Sequence, residues 1–286
     1  MEKFEININK TQKLNDALIK YGLKYSQIML LYKNKDIKID GKRVSCNQDV
    51  FEGQVVTFFM LDKSLSNNSK RFEVIFEDDN ILILNKPSGI EVTGENGMVA
   101  YLENCIAVHR LDKDTKGLIV FAKNKEAEIE LLQAFKQQDI QKKYICEVLG
   151  DTNFKNLLDK AYLFKDSKNA FVTVFSNKVS NSVEIKTIFN TLKHGRETSV
   201  IEAELLTGKT HQIRAHLKYL GHPILGDSKY GNKELNKKFK ENKQKLFCYF
   251  LKFKRFENKL KYLEGKEFLL CPDWAKNIMG LKENNE

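Results

Sequence analysis

Val108-His109-Arg110-Leu111-Asp112-Lys113-Asp114-Thr115-Lys116-Gly117 is a short polar segment, and the apolar run Leu118 to Ala122 follows it directly. The apolar run predicts a buried strand, and the polar residues before it predict a compact turn at the strand's edge. Such a turn can hold a carboxylate rigidly at the mouth of a cleft, which makes Asp112 the candidate catalytic residue. On spacing alone, however, Asp112 is more simply a turn or helix-capping residue.

A second polar segment lies about a hundred residues further on and reads Thr207-Gly208-Lys209-Thr210-His211-Gln212-Ile213-Arg214-Ala215-His216. Helical spacing from Thr210 to Leu220 separates apolar from basic side chains: Ile213, Leu217 and Leu220 on one face, and His211, Arg214 and Lys218 on another. Arg214 can therefore point away from the core. Taken alone, it is equally a surface Arg on an amphipathic helix.

A third segment, Lys142-Lys143-Tyr144-Ile145-Cys146-Glu147-Val148, alternates as a strand does and has Tyr144 near its start. A Tyr in a strand is more often a core residue than a binding residue. Two further segments, Asn85 to Ile90 and Gly221 to Gly231, are rich in turn-forming residues, and we expect them to form the frame and floor of a cleft.

Together these segments closely resemble the motifs of the RluA-type RNA pseudouridine synthases, from about Phe72 to near the C-terminus. The resemblance implies an α+β fold with a mixed, largely antiparallel sheet and flanking helices. It also implies a role for each matching residue: Asp112 of H-R-L-D as the catalytic aspartate, Arg214 of H-Q-I-R as its ion-pair partner, Tyr144 of K-x-Y stacked on the target base, and Arg110 beside the flipped nucleotide. Lys209 stands where the family usually has Arg, which leaves a phosphate contact possible, and we expect His211 also to contact RNA.

Converting uridine to pseudouridine breaks the bond from N1 to the ribose, turns the base, rejoins it through C5 and removes the C5 proton. This requires an ionised carboxylate in a water-poor pocket, and a guanidinium nearby lowers a carboxylate's pKa by roughly 1 to 3 units. No cofactor or metal is required. His211 and His216 are five residues apart on a predicted helix, and no Cys or carboxylate completes a metal-ligand set with them.

Charge favours a polyanionic partner, because 48 Lys and Arg residues exceed 38 Asp and Glu residues and give the chain a net charge of +10. A Lys-rich composition can also reflect the low GC content of a genome rather than a nucleic-acid partner. The five cysteines are odd in number and widely scattered, which indicates reduced thiols. With no apolar run long enough for a membrane span, we expect a cytoplasmic, soluble protein that is monomeric and does not bind membranes.

The N-terminal region predicts a separate small domain. Helical spacing from Thr11 ends at Gly22, a second helix follows at about Ser26 to Lys33, and Asp36 to Val44 reads as a hairpin around Asp-Gly. These elements resemble an S4-type RNA-binding module, with Lys33, Lys35, Lys42 and Arg43 as RNA-contact residues. The alternative is a small α+β cap with a solvated basic rim. We place this domain at 1–64, a Ser/Asn-rich linker at 65–71 and the catalytic domain at 72–286.

The remaining sequence predicts many strands and few helices. The strands are expected at Val55 to Leu61, Glu73 to Phe76, Ile81 to Leu84, Leu118 to Ala122, Tyr144 to Leu149, Ala170 to Phe175, Val183 to Phe189 and Val200 to Leu206; the helices are expected at Lys125 to Gln137 and Thr210 to Leu220. The leading hypothesis is a pseudouridine synthase for ribosomal RNA, specifically that of the large subunit. The alternatives are a transfer RNA pseudouridine synthase and a non-catalytic RNA-binding or ribosome-assembly factor.

Overall fold

A computed structural model of the chain describes residues 2–23, 25–60, 72–94, 97–102, 104–166 and 168–280. The chain divides into two compact units, one comprising 1–71 and 93–103 and the other comprising 72–92 and 104–286. The linker expected at 65–71 lies outside the described residues. No helix in the described ranges is long and apolar enough to cross a membrane.

The first unit pairs two helices with a small antiparallel sheet. Its named elements are β1 (Glu2–Asn7), β2 (Gln12–Lys13), α1 (Leu14–Tyr21), α2 (Tyr25–Asn34), β3 (Ile37–Ile39), β4 (Lys42–Val44), β5 (Asp49–Val50) and β6 (Val55–Met60). Four of the strands form a sheet in the order β1-β6-β3-β4, and β2 pairs with β5. Buried apolar side chains from both helices and the sheet, among them Leu18, Ile28 and Phe58, form one core.

Two sequence predictions for this unit are confirmed. Helix α1 ends at Gly22, whose φ of 110° lies in the left-handed region that favours glycine. The hairpin of β3 and β4 turns at Asp40 and Gly41, and both have positive φ, 47° and 80°, as the two-residue turn requires. Strand β1 was not assigned from the sequence.

The second unit is built on one large sheet. Its elements are β7 (Glu73–Glu77), β8 (Ile81–Lys86), β9 (Ile106–Ala107), β10 (Lys116–Ala122), α3 (Lys125–Gln137), β11 (Ile140–Leu149), β12 (Leu157–Asp166), β13 (Phe171–Phe175), β14 (Ser182–Lys193), β15 (Thr198–Leu205), α4 (Gln212–Tyr219), α5 (Lys233–Lys238), β16 (Leu246–Phe253) and β17 (Glu267–Leu269). Strands pair in the order β13-β12-β14-β15-β11-β16-β10-β8-β7, with β17 on β16 and β9 on β10. Of the pairs in the described chain only β10 with β16 is parallel, so the expected mixed, largely antiparallel α+β fold is confirmed.

The sheet register brings the first and third sequence segments together. Gly117, at the start of β10, and Tyr144, in β11, both pair with Cys248 of β16. A Cβ atom on Gly117 would lie 2.2 Å from the Cys248 carbonyl oxygen, so the turn before β10 can approach β16 this closely only with glycine at that position. The polar turn and Tyr144 therefore lie at the same level of the sheet.

Helix α4 differs from its prediction at its first turn. It begins at Gln212, and His211 precedes it with a φ of 53°, in the left-handed region. His211 is therefore not on the helical face that the spacing from Thr210 assigned to it.

Candidate active site

Arg214 joins two carboxylates. Its Nη1 donates to Oδ2 of Asp112 at 2.9 Å, while its Nε and Nη2 donate to the two oxygens of Asp227 at 2.7 and 3.0 Å. The ion pair of Asp112 with Arg214 that the two motifs predicted is present. A guanidinium with both edges engaged is fixed in orientation, so it also fixes the Asp112 carboxylate.

Arg214 is buried, with 5% of its surface exposed, and Asp227 has none exposed. Arg214 lines the cleft with Asp112, and its burial excludes the alternative of a surface Arg. Burial alone would lower the pKa of Arg214, but the bonds to Asp227 and Asp112 outweigh it and raise that pKa. Burial likewise acts to raise the pKa of Asp227, and Arg214 outweighs it, so the pKa of Asp227 is lowered and the carboxyl is ionised.

His211 approaches Asp112 from the other side. Its Nε2 lies 3.9 Å from Oδ1 of Asp112, and its Nδ1 lies 2.9 Å from the hydroxyl of Tyr230. That hydroxyl also accepts a hydrogen bond from the backbone N–H of Val172 at 3.0 Å. Asp112 therefore has Arg214 on Oδ2 and His211 near Oδ1.

Tyr144 is buried beside the same cleft, on β11 as the sequence predicted. Burial raises its pKa well above the usual value, and neighbouring Cys248 and Asp112 raise it further. The phenol is therefore protonated at neutral pH and is held as a neutral ring.

Lys86, in the segment expected to form the frame of the cleft, is completely buried. Its Nζ donates to the carbonyl oxygens of Pro87, Lys113 and Thr115 at 3.0, 2.8 and 2.9 Å, so it ties the end of β8 to the turn that carries Asp112. Burial lowers the pKa of Lys86 to about 8, against the opposing influence of Asp114 and Asp112.

Neither Asp227 nor Lys86 was predicted from the sequence as an individual site residue. Both lie in segments that the family motifs had marked only as frame and floor. A signal for Asp227 exists in hindsight, because a buried guanidinium has five N–H donors and one carboxylate cannot satisfy them all. A lysine between a buried strand and a proline offers no comparable signal.

A cleft of about 520 Å³ opens at these residues, a volume within the range of small-molecule sites. It is lined by the three predicted catalytic residues and by the three predicted RNA-contact residues of this unit: Asp112, Tyr144, Arg214, Arg110, Lys209 and His211. Arg110 and Lys209 are exposed.

The other predicted RNA-contact residues, Lys33, Lys35, Lys42 and Arg43, belong to the first unit. All four are exposed, and Lys42 and Arg43 lie on β4 of the hairpin. No ion pair engages any of the four within the part of the chain that the structure describes. All four are therefore exposed cations of that unit.

His216 is a structural residue. Its Nε2 contacts Oδ2 of Asp159 at 2.6 Å and its Nδ1 contacts the Thr187 hydroxyl at 3.1 Å, and the side chain is completely buried. It therefore joins α4 to β12 and β14. No group of three or more His, Cys, Asp or Glu side chains suited to a metal ion occurs in the described ranges.

The chain is similar to known proteins in sequence and in fold. The family model described as RNA pseudouridylate synthase matches residues 80–219. An uncharacterized RNA pseudouridine synthase of Mycoplasma capricolum is 31% identical over 96% of this chain and 99% of its own length. The ribosomal large subunit pseudouridine synthase C of Vibrio cholerae is 30% identical over 74% of this chain and 73% of its own length.

Two further similarities are more limited: one relative is matched over less than half of its length, and one solved structure shows the fold alone. The mitochondrial tRNA pseudouridine(32) synthase of Saccharomyces cerevisiae is 31% identical over 71% of this chain, which spans 46% of that protein. The solved structure of human RNA pseudouridylate synthase domain containing 1 superposes with a TM-score of 0.57 at 20% identity, over 79% of this chain and 98% of that one. By these matches, the chain belongs to the RNA pseudouridine synthase family, enzymes that isomerise uridine to pseudouridine in RNA.

Proposed function

We propose that this protein isomerises specific uridines of large-subunit ribosomal RNA, with Asp112 as the catalytic residue. The observation that carries the proposal is the carboxylate of Asp112, bound through Oδ2 to Arg214 at 2.9 Å at the edge of the cleft. The Asp112 side chain is 15% exposed, so it is neither sealed in a turn nor freely solvated. An anionic oxygen in this position is suited to act on the ribose or the pyrimidine of a nucleotide that enters the cleft.

The reaction needs the uridine outside its RNA helix, and the cleft offers groups for each part of such a nucleotide. The neutral ring of Tyr144 provides a surface for the base, and stacking on an aromatic ring is worth about 1–3 kcal/mol per base. Arg110 and Lys209, exposed at the cleft, are suited to the flanking phosphates. Asp112 then faces the sugar and the glycosidic bond.

A ribosomal RNA substrate is supported by the relatives and by charge. The Vibrio cholerae relative and that of Haemophilus influenzae are both named as ribosomal large subunit pseudouridine synthases, and the latter is 29% identical over 83% of this chain. The net charge of +10 favours a large polyanion. We further propose that residues 1–64, which lie within the first unit, form an S4-like module whose Lys33, Lys35, Lys42 and Arg43 bind RNA phosphates.

Transfer RNA is the second candidate substrate, favoured by the name of the yeast relative. Both substrates are tested by mapping pseudouridines in total RNA from cells with the gene, without it, and without it but carrying either the wild-type gene or Asp112→Asn. Loss of sites in large-subunit ribosomal RNA that only the wild-type gene restores supports the proposal. Loss in transfer RNA alone selects the second candidate, and restoration by Asp112→Asn overturns the catalytic assignment.

A further inference from the structure

The Tyr230 hydroxyl favours one of the two tautomers of the His211 ring. The Tyr230 hydroxyl accepts a hydrogen bond from the Val172 N–H, so its single proton is free to be donated to Nδ1 of His211. Tyr230 is 1% exposed, which shields this arrangement from water. Burial lowers the pKa of His211, as do Arg214 and Lys229, against Asp112 and Asp227, so the ring is neutral at neutral pH. A neutral ring that accepts at Nδ1 carries its proton on Nε2.

In that tautomer the Nε2–H lies near Oδ1 of Asp112, an oxygen that accepts no side-chain hydrogen bond from the other described residues. Arg214 occupies Oδ2, and Oδ1 lies 3.9 Å from Nε2 of His211. That distance is too long for a direct hydrogen bond, but an oxygen atom placed beside the pair, in the cleft that both residues line, can lie within hydrogen-bonding distance of both. The gap therefore has a donor on one side and an anionic acceptor on the other.

His211 is held in this position at a conformational cost. Its φ of 53° is uncommon for a residue other than glycine, and such strained residues concentrate at functional sites. Two hydrogen bonds stabilise it: Tyr230 binds the ring, and the backbone N–H of Ala215 donates to the carbonyl oxygen of His211.

We propose that this gap binds the 2′-hydroxyl of the target uridine, and that His211 is thereby a specificity residue that distinguishes a ribose from a deoxyribose. A hydroxyl group both accepts and donates, so it can accept from Nε2 of His211 and donate to Oδ1 of Asp112. The uracil edge also carries donors and acceptors, but the base must turn during the reaction, whereas the 2′-hydroxyl stays on the ribose throughout. This inference rests on the proposed function.

The test uses short synthetic RNAs that span the uridine found by the mapping experiment. One carries uridine at the target, a second carries 2′-deoxyuridine there, and a third carries the deoxy substitution at the preceding nucleotide as a control. Each is assayed for kcat/KM and for Kd with the wild-type protein, His211→Asn, His211→Gln and Tyr230→Phe. His194→Gln, a change at an exposed histidine, is the matched protein control.

For the wild type we expect the deoxy substitution at the target to lower kcat/KM by about tenfold to a hundredfold, the range for a lost hydrogen bond to a charged group. His211→Asn has a side chain too short to reach the gap, so it should lose activity with the all-ribose RNA. Its remaining deoxy penalty should be clearly smaller than that of the wild type, because only the bond from the 2′-hydroxyl to Asp112 is left to lose. His211→Gln keeps an N–H donor of nearly the same reach and should retain discrimination; a Gln tolerates this backbone, since Gln138 has a φ of 64°. Tyr230→Phe, which frees the ring to change tautomer, should show reduced discrimination.

An equal deoxy penalty in the wild type and in His211→Asn overturns the inference. An equal loss of affinity for all three RNAs in His211→Asn overturns it as well, because that result would identify His211 as a phosphate contact. Thermal melting of each variant identifies a folding defect. Because His211→Asn and Tyr230→Phe each test the discrimination between ribose and deoxyribose, the test survives if one of them fails to fold. Failure of the proposed function gives a different result: the wild type then forms no pseudouridine in the all-ribose RNA.

Discussion

Asp227→Asn tests the buried charge cluster that holds Arg214. The substitution is nearly isosteric but removes one negative charge from a site with no solvent exposure. The amide oxygen can keep the bonds that Oδ1 accepts, from Nη2 of Arg214 and from the backbone N–H groups of Lys229 and Tyr230. The amide nitrogen, however, would replace Oδ2 at 2.7 Å from Nε of Arg214, so two donors would face each other.

The expected loss of stability is about 3 kcal/mol. Breaking a buried ion pair by removing one partner costs about 3–5 kcal/mol, and the surviving bonds to the amide oxygen put this change at the lower end. Because Arg214 then lacks one of its two anchors, the alignment of Asp112 also loosens, and we expect kcat to fall at least about tenfold with little change in the Kd for RNA.

Urea unfolding followed by tryptophan fluorescence measures the stability. Trp274, the single tryptophan of the chain, packs in a core cluster of the second unit, so its signal reports the unfolding of that unit. Asp151→Asn, at an exposed aspartate, is the matched control and should change stability by less than about 0.5 kcal/mol. Wild-type stability and kcat in Asp227→Asn would refute the reasoning.

The contribution of Asp227 to stability should depend on pH. The pKa of Asp227 is lowered in the fold, so its stabilisation is fully present above the unfolded value of about 3.9 and is lost as pH falls through the folded value. The stability difference between wild type and Asp227→Asn should therefore be constant near neutral pH and shrink below about pH 4.

Three further predictions concern single parts of the account. Lys86→Met removes the donor to two carbonyl oxygens of the Asp112 turn, those of Lys113 and Thr115, and to that of Pro87. It should lower kcat at an unchanged RNA Kd, measured by single-turnover assays; an unchanged kcat contradicts the positioning role. Tyr144→Phe should keep RNA affinity because the stacking ring remains, whereas Tyr144→Ala should weaken it by about 1–3 kcal/mol in a fluorescence titration. Lys42→Ala with Arg43→Ala should reduce the slope of log Kd against log salt by about one to two, and an unchanged slope would exclude these residues from the RNA interface.

Much of the fold could be predicted because most elements carry local signals. Helix α3 was predicted at its observed bounds, since its apolar residues repeat with helical spacing and Asn124 caps it. Strands β12 and β16 were not predicted. Strand β16 is central and buried on nearly every residue, so it lacks the alternation that marks a strand with one solvated face. In β12 the alternation of buried residues is confined to its second half.

At the candidate site, the sequence predicted which residues line the cleft but not most of the contacts between them. The motifs placed Asp112 with Arg214, and the structure has that ion pair. The second carboxylate on Arg214 comes from Asp227, which lies in the irregular segment after α4, and the position of His211 outside α4 depends on one left-handed backbone residue. Periodicity contains no information about either.

The most direct test of the central claim compares Asp112→Asn with Asp114→Asn, a matched change two residues further along the same turn. Tritium release from RNA labelled at C5 of uridine is measured with each purified protein, together with the Kd for the same RNA. The account predicts that Asp112→Asn lowers the rate at least about a hundredfold at nearly unchanged Kd, and that Asp114→Asn retains most of the activity. Wild-type tritium release by Asp112→Asn would contradict it.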